Sequence, residues 1–254
     1  GFKSHIDRTD LVSATMILSH AEEAARALYV NALSPTATDA RIGQVTRLPN
    51  HPMQEDTLLT TFAQKTRNLV RKSLKQGFME VVADDDHAWS FLHRVHVENI
   101  AALGGKPKPL SHFNMLRETL PASGRRLSLA MDGETPVAAL LLLYAGKTVE
   151  YLTPAIEVSA RSRQPLSFLI WKGMLNAVER GFTSWNWGGT WQGQPSLHHF
   201  KAGFGAEDHP YSYLISATTD VIAKRQRHRG QLDTMYPYFY AYPYSLLNAA
   251  SDSV

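Results

Sequence analysis

The stretch "LSLAMDGETPVAALLLLYAGKTVEYLTPA" (127–155) holds three strand-like runs separated by Asp132-Gly133 and Gly146-Lys147. Both pairs are hairpin-type turn signals. The middle run, Val137 to Tyr144, is almost wholly apolar, as expected of a strand covered on both faces. A meander with a doubly covered central strand needs helices on each side, and the flanking sequence supplies them. After it, Leu166, Ile170, Met174 and Val178 form one helical stripe that stops at Gly181. "FTSWNWGG" (182–189) reads as a further strand, and "YSYLIS" (211–216) as the last. Before it, "FMEVVA" (78–83) alternates like a strand. Ala88, Phe91, Leu92, Val95 and Asn99-Ile100 then recur at helical spacing. "GGKPKP" (104–109) is a loop, followed by a short helix over about 110–120. From residue 78 onward the order is strand, helix, helix, three-stranded meander, helix, strand, short helix, strand. This predicts an α+β fold with helices against a mixed sheet.

The N-terminal part is less regular. Ser19 and Glu22 have the form of a capping box before an Ala-rich helix to about Leu33. "SPTATDA" (34–40) reads as a loop and "IGQVTRLPNHP" (42–52) as a short strand broken by two prolines. A helix is expected from Glu55 to Gln76, stopped by Gly77. At the other end, "AKRQRHRG" (223–230) is basic and "YPYFYAYPYS" (236–245) is dense in tyrosine and proline. This tail is expected to wrap the domain with its aromatics as anchors. The alternative is peripheral contact with a membrane surface.

Composition removes several function classes. The chain has 254 residues and no cysteine, which excludes disulfides, thiolate nucleophiles and cysteine-based metal sites. The formal net charge is only +3, weak support for an acidic partner and no demand for nucleic acid. No apolar run is long enough to span a bilayer, and a cytoplasmic location is the expectation.

Three constellations could carry chemistry. In "KTRNLVRKSLKQG" (65–77), Arg67, Arg71 and Lys75 follow one another at helical i, i+4 spacing with nothing acidic beside them. Such like-charge pairs cost a few tenths of a kcal/mol each. An anionic partner would offset that, and a solvated basic face is the plain alternative. In "TPAIEVSARSRQPLSF" (153–168), Arg161 and Arg163 precede a helix whose first turn holds Pro165. A phosphate suits a helix start, but no glycine here lets the backbone approach it closely. In "WNWGGTWQGQPSLHHFKAGFGAE" (185–207), a strand ends at Gly188-Gly189 among Trp185, Trp187 and Trp191. A helix through Leu197 and Phe200 would project Lys201 toward that strand end, where an ammonium could hold an oxyanion. His198 and His199 could accept a proton from an amine. The plain alternative is an aromatic core edge with a solvated lysine. Adjacent histidines rarely reach one metal, and no further ligands lie at regular spacing, so no metal is expected.

The segments "KTRNLVRKSLKQG", "VEYLTPA" (149–155), "PLSFLIWKGMLNAVERG" (165–181), "SWNWGGT" (184–190) and "LHHFKAGFGAE" (197–207) together resemble the Fem-type (FemAB-like) aminoacyltransferases of the GNAT acyltransferase superfamily. The resemblance covers about residues 45–216. It implies a GNAT-like mixed central sheet flanked by helices, the second of two such domains. Residues 1–77 would be a partial first domain with a basic linking helix, 78–216 a complete acyltransferase domain, and 217–254 a separate tail. It implies transfer of an acyl or aminoacyl group to an amine of a cell-envelope precursor or polysaccharide; membrane contact by the tail would put this at the inner face of the membrane. The donor would be aminoacyl-tRNA or acyl-CoA, with no cofactor bound permanently. By resemblance Lys201 matches the lysine of the family's "FK" motif, with His198 beside it as a catalytic candidate. Arg67 and Arg71 match the basic helix. Arg161, Trp187, Gly188, Gly189, Trp191, His199 and Phe200 complete the expected substrate site. The GNAT pyrophosphate loop is glycine-rich, whereas "RSRQPLS" (161–167) has no glycine; that departure favours aminoacyl-tRNA or another donor over acetyl-CoA, and equally allows loss of activity. Two other classes compete: a non-catalytic module of the same fold binding a glycan or anion, and a structural partner in an envelope assembly.

Overall fold

A computed structural model of the chain describes residue 4 and residues 13–52, 55–190 and 193–217. In chain order these hold β1 (Ser13–Leu18), a 3₁₀ turn (His20–Ala25) running into α1 (Arg26–Leu33), β2 (Ala37–Arg47), α2 (Glu55–Thr60), α3 (Gln64–Leu74) and β3 (Met79–Val82). There follow α4 (Asp86–Ala102), α5 (Leu110–Thr119), β4 (Arg125–Asp132), β5 (Thr135–Ala145), β6 (Thr148–Ile156), α6 (Pro165–Glu179), β7 (Ser184–Thr190), α7 (Pro195–Gly203) and β8 (Ala206–Ala217). The chain groups into two compact units. Among the described residues the larger comprises 44–52, 55–189 and 194–208, and the smaller residue 4, 13–43, 190, 193 and 209–217. The basic and tyrosine-rich tail beyond Ala217 and the residue Trp191 lie outside the described residues.

In the larger unit the meander forms as the turns predict. β3, β4, β5 and β6 pair antiparallel in that order. β6 then pairs with β7 in parallel, which makes the sheet mixed. Each residue of β5 from Val137 to Leu142 is 9% exposed or less, because helices cover both faces. On one face α4 and α5 bring Trp89, Leu92, Val95 and Phe113 against Leu129, Leu141 and Ala155. On the other, α6 brings Ile170, Trp171 and Met174 against Leu140, Leu142 and Trp185, with Leu58, Phe62 and Val70 of the α2–α3 segment beside them. Gly173 lets α6 settle on the sheet: a Cβ there would stand 3.1 Å from both Leu142 and Trp185 side chains. In the smaller unit β1 pairs antiparallel with β8, Ser13 opposite Ala217 and Leu18 opposite Ser212. Glu22 closes the capping box on Ser19, its carboxylate accepting the Ser19 N–H at 3.0 Å. Among the described residues no helix is long and apolar enough to cross a membrane.

Four elements differ from the sequence expectation. The helix expected over 55–76 is two helices, because Phe62 turns into the core at 2% exposure. Ala63 there is extended at ψ 150° and donates its N–H to the Gly203 carbonyl at 2.9 Å. The segment 34–40 is a loop only at its start, since β2 begins at Ala37. Its "TATDARI" run alternates half-buried and exposed, a strand pattern hidden by polar residue types. β1 was not anticipated, and β8 begins at Ala206 rather than 211.

Candidate active site

The parallel pairing of β6 with β7 covers only Thr148–Glu150 against Ser184–Asn186. Past that point the strands diverge, and α6 follows β6 while α7 follows β7. At the β7 side of this fork Lys201, Gly188, Gly189 and Trp187 of the sequence-predicted set come together. Lys201 on α7 is 3% exposed. Its Nζ donates to the Gly189 carbonyl at 3.2 Å and the Gly188 carbonyl at 3.4 Å. Gly188 sits at φ +74°, a conformation that favours glycine. Its N–H donates to the Asn186 side chain at 3.0 Å. Lys201 thus reaches the glycine-lined strand end as the spacing predicts. Burial pushes its amine down to about 8, since removing water disfavours the charged form.

Aromatic rings wall the same region. Trp187 lies 4.8 Å from Tyr151, 5.3 Å from Phe204 and 6.0 Å from Phe200, centroid to centroid. Its indole N–H donates to the Thr46 hydroxyl at 2.9 Å, and that hydroxyl donates to the Phe204 carbonyl at 3.1 Å. The end of α7 and strand β7 are fixed together by this relay. Burial raises the Tyr151 phenol far above its usual range, so the fork carries no phenolate.

His198 does not stand alone. Its Nε2 lies 2.9 Å from both carboxylate oxygens of Asp208, and its backbone carbonyl accepts from the buried Gln44 side chain at 3.2 Å. A carboxylate so placed fixes the imidazole's orientation. His199 and Phe200 instead line a cavity of about 360 Å³ with Lys65, Leu69, Gln164 and Ser167. Among the described residues, no group of three or more His, Asp and Glu side chains could hold a metal ion.

The predicted cations divide. Arg67 turns back on the start of its own helix, donating to the Phe62 carbonyl at 3.1 Å and to the Gln64 side chain. Arg71 is exposed on α3, as are Lys65 and Lys72, and Lys75 is exposed just past its end. Arg161 is exposed in the 3₁₀ turn Val158–Arg163. Arg163 is held by Asp132 and lies over the Phe78 ring at 4.8 Å.

The glycines of "FKAGFG" do more than turn the chain. A Cβ on Gly203 would meet the Thr66 hydroxyl at 2.5 Å, and one on Gly205, at φ +76°, would meet the Thr61 carbonyl at 2.6 Å. They let the end of α7 lie against the start of α3. Gly203→Ala is therefore expected to cost about 1–2 kcal/mol by overpacking, measured as a lower urea midpoint with an unchanged m-value. An unaltered midpoint would show that Thr66 moves aside freely.

The sequence reading passed over Asn99 and Asn186 as partners, and it reads Asp208, with Glu207, as a possible base rather than as the partner of His198. Asn99 binds both backbone groups of Ile156, and Asn186 donates to Glu150 at 2.8 Å. An asparagine on a predicted helix gives no sign of a partner far along the chain.

Comparison with known proteins identifies the family. A family model described as "Acetyltransferase (GNAT) domain" matches residues 61–209. Among solved structures, that of FemX superposes with a TM-score of 0.67 at 14% identity, covering 88% of this chain and 76% of FemX. A chain described as a lysylphosphatidylglycerol synthetase C-terminal domain from Agrobacterium fabrum gives 0.54 at 14% identity, over 84% of this chain and 75% of that one. L-PGS from Bacillus licheniformis gives 0.52 at 12% identity, over 86% and 72%. No curated protein sequence matches the chain. With more than half its length matched, the chain belongs to the GNAT acetyltransferase-domain family, and it is an acyltransferase built on the fold seen in FemX.

Proposed function

We propose that this acyltransferase moves an acyl or aminoacyl group from an activated ester or thioester to the amine of a cell-envelope or polysaccharide precursor, by direct attack. The observation that carries the reading is the buried Lys201 ammonium at the glycine carbonyls where β6 and β7 part. In the proposed step the acceptor nitrogen attacks the donor carbonyl and a C–N bond forms. Lys201 and backbone N–H groups stabilise the tetrahedral oxyanion in a site screened from water. His198, oriented by Asp208, takes the proton lost by the amine. The oxyanion then collapses, the bond to the carrier oxygen or sulfur breaks, and the proton passes to the departing carrier. The chain has no cysteine, in keeping with a route that needs no thioester on the enzyme. The names of FemX and of the lysylphosphatidylglycerol synthetases support an envelope-related acceptor, and we place the protein in the cytoplasm at the inner face of the membrane.

The protonation of Lys201 makes the reading testable. Its amine is held at about 8, so the charged form needed for oxyanion binding is lost as pH rises through that value. Transfer of label from donor to amine is expected to decline above pH ~8 in the native protein, with the decline moved to higher pH in Lys201→Arg, whose guanidinium stays charged. A rate that climbs steadily to pH 10 in the native protein would remove Lys201 from this role.

A further inference from the structure

A forked sheet leaves strand backbone to be satisfied by something other than its neighbour. On β6 the directions are set by Glu157, whose N–H donates to the Val137 carbonyl at 3.0 Å. Backbone groups alternate along a strand, so Ile156 and Pro154 turn theirs away from β5 and toward the fork. At Ile156 both groups are already used. Asn99 of α4 donates its amide to the Ile156 carbonyl at 2.9 Å and accepts the Ile156 N–H at 3.0 Å. It imitates one residue of an added strand. At Pro154 there is no N–H to offer. On β7 the Gly188 N–H is bonded to Asn186, and the carbonyls of Gly188 and Gly189 accept Lys201. The chain's own side chains serve the fork from both strands.

This bears on the acyl-CoA donor that a GNAT domain implies. A CoA thioester carries its acyl group on a pantetheine arm with two amides. An extended amide-bearing arm gains its affinity at a strand edge from main-chain hydrogen bonds. This edge gives it no N–H at Pro154 and only occupied groups at Ile156. The phosphate end fits no better. Pro165 opens α6 without an N–H, and the Gln164 amide is spent on the Arg161 carbonyl at 2.9 Å. Its carbonyl oxygen accepts the Ser167 hydroxyl at 3.2 Å.

We infer that Asn99 is a specificity determinant that closes the β6 edge of the fork to donors carried on a pantetheine arm, leaving the site to donors whose acyl group arrives as an ester on a sugar hydroxyl. The inference rests on the acyltransferase reading and narrows its donor.

Calorimetric binding of acetyl-CoA and of 3′-phospho-ADP, the nucleotide without the arm, tests it on the full chain. In the native protein the two are expected to bind within about twofold of each other, or neither to bind. In Asn99→Ala, freeing the two Ile156 groups should tighten acetyl-CoA about fivefold to tenfold over 3′-phospho-ADP, the worth of one or two hydrogen bonds. A native protein that binds acetyl-CoA tenfold or more tightly than 3′-phospho-ADP overturns the inference. So does a folded Asn99→Ala protein with no gain. Should that variant not fold, Asn99→Asp, which keeps the acceptor for the Ile156 N–H and drops the donor, replaces it, and the native comparison stands by itself. Acyl transfer from acetyl-CoA by the native protein would sink this inference and leave the acyltransferase reading intact. Loss of that wider reading would show instead as no transfer from any ester or thioester.

Discussion

Lys201→Ala is expected to lower turnover by about 10²–10³, the loss that follows removal of one oxyanion donor from a preorganised site. The physical case is that this amine is expensive where it stands. It is 3% exposed, and its ammonium is held at about 8 against an ordinary value of 10.5. With the folded value below the unfolded one, the unfolded chain binds the proton more tightly. Keeping the charge buried therefore destabilises the protein in full below pH 8, on the order of 2–3 kcal/mol. That cost fades as pH rises from 8 toward 10.5. A side chain retained at such cost is retained for what its charge does. Lys201→Met, similar in volume and uncharged, is accordingly expected to lose turnover like alanine yet match or exceed the native melting temperature at pH 7. Turnover and stability falling together would mean that Lys201 is a packing residue.

The second large effect concerns acid. His96 on α4 is 7% exposed, and its Nε2 accepts the Lys108 backbone N–H at 3.2 Å, a bond that only the neutral ring can make. Burial first, and then the positive charges of Lys108, His93 and His112, push it down to about 4. The His112 ring is lowered too, by burial and by Lys108. All three histidine rings meet Phe113 edge-on, at 5.5 to 5.7 Å between centroids. The unfolded chain titrates near 6.5, so it binds more protons than the folded one between 6.5 and 4. Stability from a neutral His96 is complete above 6.5 and drains away as pH falls, by about 3 kcal/mol at pH 4. Urea unfolding at pH 7, 5.5 and 4.5 measures this. Because carboxylates also titrate in that window, the informative quantity is the difference from His96→Gln, whose acceptor does not titrate. The variant should lose markedly less stability than the native protein over the same range. Parallel losses would place the acid sensitivity elsewhere.

What the sequence discloses follows the physics of each element. The β4–β5–β6 meander is legible because its turns are glycine-marked and its central strand has one environment on both faces. The break between α2 and α3 is not, because Phe62 is pulled inward by Phe204 and Trp171, at 5.2 and 6.1 Å, partners unknown to a helix propensity. The Lys201–Gly188–Gly189 group is legible because a lysine between glycines after a glycine-ended strand is an unusual local arrangement. Arg67 shows the opposite limit. A basic stripe reads as a ligand face, yet one of its members serves the backbone of its own helix start. Asn99 stays hidden, since its work depends on a pairing across the fold.

The measurement closest to the central claim is transfer of radiolabel from aminoacyl-tRNA, and in a parallel arm from acetyl-CoA, to a pool of amine acceptors, with Lys201→Ala beside the native protein. Label is expected to reach an amine from aminoacyl-tRNA and to fall at least a hundredfold in the variant. Equal transfer by the native protein and Lys201→Ala would contradict the assignment of the site.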